Sequence, residues 1–380
     1  MKFIQRLLIL FLLLPFSAIA GQKIVNGIPI NILKGSYYEM GKEYGELMRP
    51  QMLESLKIIE DYYIKQKGLS YNDLVKQANQ LYDRFPNNYK SILKGAAKGA
   101  RISLNDEIIL NGMETLVAMK TSKPKLKSGC AFASISKENS YSDSRIILRN
   151  YDYYNKPFDK ISKLLSITTF NFNKGYPVAI IAMPGQLYCP SCINKNGLFI
   201  ELNNGFFSGG STINSNRETM LIQTLNALRT SKDLSQLDDK LKATQSDFSL
   251  IINAGDNHNV LSYEYSSTKG HKKDNIQPGS NFVVTNNFLS PEWENLIPKP
   301  NAKSMDLSVT RRENLENLIN SYQTIDIPTA EKIMDKKVKN GGAKNLYTIY
   351  QIIYDTKTKD LYLNLEDNKG WREIPFKDIF

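Results

Sequence analysis

The chain changes texture once, and the change falls at Cys130. Between Ser36 and about Lys120, apolar residues recur at three- and four-residue spacing, the mark of helices that bury one face. After Cys130 come short apolar runs separated by turn residues. The runs 131–136, 145–153, 164–172, 176–183 and 192–202 read as strands. A helical stretch spans about 216–244. Strands resume at 247–254, 260–266 and 281–286, and helices at about 308–321 and 328–338. A hairpin around Thr356-Lys357-Thr358-Lys359 closes the chain. Strand runs on both sides of helix pairs predict an α+β fold of stacked sheets with helices outside.

The first part is read more finely. Residues 24–34 form a strand. Ser36-Tyr37-Tyr38-Glu39 is a capping box, in which the Ser side chain accepts from a backbone N–H and the Glu reaches back. Further helices are expected near 51–66, 71–84, 87–99 and 104–119. The polar, Pro-broken segment from Thr121 to Gly129 reads as an exposed linker.

Residues 1–20 have the parts of a secretory signal. Lys2 and Arg6 are basic, Leu7 to Phe16 is apolar, and Ser17-Ala18-Ile19-Ala20 offers a cleavage site after Ala20. The expectation is an exported protein, periplasmic or secreted, with a helical lobe over 21–129 and a second unit over 130–380. The charge is +11, or +9 without Lys2 and Arg6. That balance favours acidic surfaces without specifying one. The lysines are dispersed and export is expected, so nucleic acid is not a predicted partner.

Two His and three Cys narrow the chemistry further. A multi-His metal cage is nearly excluded. HExxH and Walker patterns are absent, and no convincing GxGxxG or GxSxG occurs, so neither cofactor nor metal is expected. Cys189 and Cys192 are natural partners for a local disulfide, with free thiols as the alternative. A redox pair lacks a βαβ context. Cys130 is then the odd cysteine.

A free thiol has a pKa of about 8.5 and needs a base or a positive neighbour. Cutting the Gly129–Cys130 bond would give Cys130 a free α-amine of pKa about 7.7–8.0, so one residue would hold nucleophile and base. Gly129 crowds the scissile carbonyl least. Nineteen residues on stands Arg149-Asn150-Tyr151-Asp152. Strand alternation puts Arg149 and Asp152 on opposite faces, so a bend or bulge would be needed for them to converge. The bland alternatives are an inert buried thiol and a surface ion pair.

Gly129-Cys130 followed by R-N-x-D resembles the cysteine N-terminal nucleophile hydrolases, and the layout resembles their aminopenicillanic acid acyltransferase and choloylglycine hydrolase-like group. Gly35-Ser36-Tyr37-Tyr38-Glu39-Met40-Gly41-Lys42-Glu43-Tyr44-Gly45 resembles that group's G-x-x-x-E-x-G-x-x-x-G element. Pro184-Gly185 with Asn194-Lys195-Asn196-Gly197-Leu198 resembles its PG…N-E-x-G-L segment, with Lys195 in place of Glu. Val284-Thr285-Asn286-Asn287 and Ser308-Val309-Thr310-Arg311 resemble its T-N and S-x-x-R elements.

The resemblance implies a four-layer αββα sandwich and a chain that cuts itself before Cys130, leaving two associated pieces. It implies Cys130 as nucleophile, Arg149 and Asp152 beside it, Asn204 and Asn286 as oxyanion donors, and Arg311 as support. It favours Asn204 over Asn203 by its offset from Gly197. The expected substrate is a small N-acyl amide. Tyr151, Tyr153 and Tyr154, or Phe206 and Phe207, are candidate walls for an acyl chain. A phospholipase B-like ester hydrolase and a non-catalytic basic binding protein are the rival readings.

Overall fold

The computed structural model describes residues 21–120, 129–153, 155–294, 296 and 302–380. The expected leader at 1–20, the linker segment 121–128 and Tyr154 lie outside the described residues. The chain opens with strands β1 (Gln22–Val25) and β2 (Ile28–Lys34). The single expected strand is thus a hairpin, turned at Asn26-Gly27 with both φ values positive. Asn-Gly suits such a turn, because both residues tolerate the left-handed region.

Helices α1 (Tyr37–Ile59), α2 (Tyr71–Tyr82), α3 (Asn87–Ala100) and α4 (Leu104–Asn111) follow. The Ser36–Glu39 box caps α1 as expected. The helix then runs through Pro50 and continues in π-wound turns to Gln66. The expected break near residue 50 does not occur. Two further helices begin with the same Ser box, Ser70 with Asp73 and Ser103 with Asp106.

From Gly129 onward come β3 (Ala131–Ile135), β4 (Ile146–Asp152), α5 (Asn155–Ile161), β5 (Ser166–Asn171), β6 (Val178–Ala182), β7 (Ser191–Asn194), β8 (Phe199–Asn204) and α6 (Phe206–Gly209). Next are α7 (Met220–Arg229), α8 (Leu234–Lys242), β9 (Leu250–Gly255), β10 (Val260–Ser266), β11 (Gly270–Lys273) and β12 (Phe282–Val284). The chain ends with α9 (Ala302–Asn320), α10 (Ile327–Asp335), β13 (Thr348–Asp355), β14 (Leu361–Asn364), β15 (Arg372–Ile374) and α11 (Phe376–Ile379).

The strands form two sheets. One has nine strands in the order β1-β2-β5-β6-β7-β8-β9-β10-β11, and the other six in the order β12-β3-β4-β13-β14-β15. All pairings are antiparallel except β2 with β5. Alternation along each strand assigns the layers. Phe132, Ile147 and Ile352 share the central core with Ile193, Phe199 and Ile251 of the other sheet, and Phe199 stacks on Tyr354 across the gap at 5.5 Å. On the outer face of the smaller sheet, Ala133, Leu148 and Ile353 pack with Leu315 and Ile319 of α9 and Ile333 of α10. Tyr263 and Tyr265 reach α8 from the outer face of the larger sheet. Two stacked sheets with helices outside are therefore what these apolar faces build.

Candidate active site

Cys130 lies one residue before β3, on the parity of Phe132, so its side chain enters the space between the sheets. It is 6% exposed. On β4 the residues Ile147, Arg149 and Tyr151 share that inward face, while Leu148, Asn150 and Asp152 face the helical layer. Arg149 Nη2 stands 3.9 Å from the Cys130 sulfur and donates to the Leu202 carbonyl at 3.0 Å. Its Nη1 pairs with Glu201 on β8, and both side chains are fully buried. Asn253 on β9 donates to the other Glu201 oxygen. Arg149 thus bridges the two sheets, with its charge matched by a neighbour that no sequence motif marks.

Asp152 serves the opposite face. Its carboxylate pairs with Arg311 of α9 at 2.9 Å, and accepts from Asn345 Nδ2 at 2.7 Å and Thr348 Oγ1 at 2.6 Å. Burial pushes this carboxyl up to about 6, against the lowering pull of Arg311 and those two donors. Arg311 Nη1 also donates to the carbonyls of Gly129, at 2.7 Å, and Cys130, at 3.0 Å. Arg311 Nη2 donates to Asn286 Oδ1 at 2.8 Å.

The two residues on opposite faces therefore need not converge. Arg149 attends the side chain of Cys130, while Arg311, held by Asp152, meets the carbonyls on either side of its nitrogen. The register does slip here, but on β13, where Thr348 pairs with Asp152 and Tyr350 with Tyr151. The slip brings Thr348 to the Asp152 carboxylate.

A side chain at residue 129 has no room. A Cβ built on Gly129 would lie 2.4 Å from Asn286 Oδ1 and 2.5 Å from Arg311 Nη2. Asn286 itself is held on three sides. Its Nδ2 donates to the Asn204 carbonyl at 2.8 Å, its main-chain N–H to Ser308 Oγ at 3.0 Å, and its Oδ1 accepts from Arg311. Ser308 and Arg311, three apart and so on one face of α9, meet the T-N-N segment together.

Asn204 enters through its main chain. Its side-chain oxygen accepts from the Phe206 N–H, closing a local turn at 2.8 Å. Asn203, on the inward parity of Glu201, is fully buried and donates to the Thr285 carbonyl at 3.0 Å. Counting from Gly197 singles out Asn204; the alternation of β8 turns the side chain of Asn203 inward instead.

Burial pushes the Cys130 thiol above its usual range, and the Arg149 charge draws it back. Beside the sulfur, Tyr151 stacks on Tyr350 at 4.6 Å, and the Arg149 guanidinium lies 5.1 Å from the Tyr151 ring centre. The hydroxyl of Tyr151 donates to Glu114, and that of Tyr153 to the Glu114 carbonyl. Phe206 belongs to α6 and packs on Phe248, 6.0 Å between rings.

Cys189 and Cys192 are joined in a disulfide and fully buried. They flank the turn into β7, whose Ser191 pairs with Glu201 in the ladder. Among the described residues, no cluster of His, Cys, Asp and Glu could hold a metal ion. Glu201, Asn345 and Thr348 carry no sequence signal of their own near residue 130; their pairing partners identify them only once the sheets are stacked.

No protein-family model and no curated protein sequence matches the chain. Among solved structures, it is similar to a Caenorhabditis elegans N-acylethanolamine-hydrolyzing acid amidase ortholog, at 12% identity and a TM-score of 0.44 over 65% of this chain and 100% of that one. It is similar to a mutant of conjugated bile acid hydrolase from Clostridium perfringens, at 14% identity and a TM-score of 0.42 over 66% and 92%. Penicillin V acylase from Agrobacterium tumefaciens is similar at 10% identity and a TM-score of 0.41 over 65% and 86%.

Proposed function

We propose that this chain is an exported, self-processing cysteine hydrolase of N-acyl amides. One observation carries the reading. Arg311 grips the carbonyls of Gly129 and Cys130, on either side of the peptide nitrogen, while Arg149 stands at the sulfur.

In the proposed first step, Cys130 Sγ attacks the Gly129 carbonyl carbon. The C–N bond breaks, the nitrogen takes the thiol proton, and a thioester to Gly129 forms. Water cleaves the thioester and leaves Gly129 as a carboxylate. Cys130 then has a free α-amine to take the proton from its own thiol. In the second reaction the thiolate attacks a substrate amide. Donors beside the sulfur hold the developing oxyanion, each worth about 2.7–4 kcal/mol in such sites. The amine returns the proton to the departing amine, and water or a second amine removes the acyl group.

The test is the intact mass of the purified protein beside Cys130→Ala. Two pieces, the larger beginning at Cys130, are expected from the wild type and one whole chain from the variant. A wild type that stays uncut at mildly acidic and neutral pH would remove the proposed base and the reading with it.

A further inference from the structure

Glu114 stands outside every step above, yet it meets the hydroxyl end of Tyr151, whose strand position adjoins Cys130. It lies on the 3-10 turns Met113–Lys120, on the N-terminal side of the Gly129–Cys130 bond. Its Oε1 accepts from the Tyr151 hydroxyl and from Gln186 Nε2, the latter at 2.8 Å. Gln186 in turn donates to the Tyr188 hydroxyl at 2.9 Å, and its own Oε1 is fixed by the Met183 N–H at 3.2 Å. Tyr153 donates to the main-chain carbonyl of Glu114 itself. A carboxyl set by two side-chain donors, each placed by a further contact, is preorganised and not adaptable.

Among the described residues no charge cancels it. The described cation that acts on it is Arg149, but Arg149 is paired with Glu201, and Glu114 makes no ion pair with any described residue. Its second oxygen takes no hydrogen bond from a described side chain. The distance to the sulfur is one tyrosine. If the ladder of β3 and β4 is continued by one residue, Cys130 falls opposite Tyr151, and the far end of Tyr151 meets Glu114.

We infer that Glu114 is a specificity-determining residue, which selects substrates presenting a hydrogen-bond donor, a hydroxyl or an ammonium, and rejects those presenting a carboxylate at that distance from the sulfur. The inference rests on the reading of Cys130 as nucleophile. A carboxyl oxygen that no described residue engages gains a partner from a donor, and an anion at the same place would face it unpaired. Burial raises the Glu114 pKa, which a hydroxyl tolerates in either protonation state and an ammonium would oppose.

The test avoids turnover. Three iodoacetamides of similar size carry N-(2-hydroxyethyl), N-(2-aminoethyl) or N-carboxymethyl groups. Each alkylates the Cys130 sulfur of the purified protein with loss of iodide, followed by intact mass and normalised to its rate with free cysteine, with Cys130→Ala as the blank. In the wild type, the hydroxyethyl and aminoethyl reagents should outpace the carboxymethyl reagent by about tenfold, as one modest charge-assisted contact provides. That order would run against the positive net charge of the whole chain. In Glu114→Gln the ratio should fall to within about threefold.

Equal normalised rates in the wild type would overturn the inference, as would a ratio unchanged in Glu114→Gln. Failure of every reagent to reach the sulfur would overturn it too. If Glu114→Gln does not fold, the wild-type ratio alone decides. If the ratio holds while no amide is hydrolysed, the amidase reading fails and the selectivity stands.

Discussion

Asp152 is where charge, burial and the cleavage point meet, and its titration makes a definite prediction. Its native pKa of about 6 lies above the ordinary 3.8 because burial penalises the charged form more than Arg311 and its donors favour it. Between those values the native state holds a proton that the unfolded chain has released. Stability from this group is therefore full below about pH 4 and falls as pH rises through about 6. The difference corresponds to about 3 kcal/mol. In a Cys130→Ala background, Asp152→Asn should remove this slope, so that its stability relative to the parent rises between pH 4 and 7. Denaturant unfolding at a series of pH values checks it; parallel curves for the two proteins would refute it. At this scale the sequence was informative about residue types and weak on orientation. The R-N-x-D spacing marks Arg149 and Asp152, and alternation correctly puts them on opposite faces. What could not be read is that the peptide bond has two sides to serve. Glu201 and Thr348 were invisible because nothing local marks which distant strand will face β4.

Among the elements, α1 and α3 show why the glycine spacing near residue 41 exists. A Cβ on Gly41 would lie 2.0 Å from the Ile92 carbonyl oxygen, and one on Gly45 2.1 Å from that of Ala96. The partner helix answers in kind, since Gly95 and Gly99 would meet the carbonyls of Tyr38 and Lys42 at 2.1 and 1.9 Å. The two helices touch backbone to backbone through four glycines. Gly99→Ala should force them apart and cost about 1–3 kcal/mol or more, as overpacking usually does. A thermal melt of the Cys130→Ala chain with and without this substitution checks it; an unchanged midpoint would mean that the helices can slide at no cost. Tight packing against α3 also bears on why Pro50 fails to break α1, since tertiary contact overrides the local preference. The sequence marked Gly41 and Gly45 and gave no hint that Gly95 and Gly99 face them.

For the molecule as a whole, the point at issue is what a cut at 129–130 would leave. Residues 21–129 supply β1 and β2 to the larger sheet, where β2 pairs with β5. They also hold the Pro184-Gly185 turn, with Gly185 donating to the Tyr44 hydroxyl at 2.9 Å and accepting from Asn111 at 3.1 Å. Arg84 pairs with buried Asp247 at 2.8 Å. With a sheet and a core in common, the two pieces should co-elute in gel filtration in native buffer and separate only in denaturant. Separation in native buffer would contradict this. The shared ladder of β2 and β5 has a thermodynamic consequence of its own. An uncut chain unfolds and refolds as one molecule at any dilution. Once severed, it becomes a heterodimer governed by mass action, so its melting temperature would fall as the protein is diluted. Where the cut chain meets low concentration, its persistence would rest on how slowly β2 leaves β5, a dissociation rate instead of a folding equilibrium.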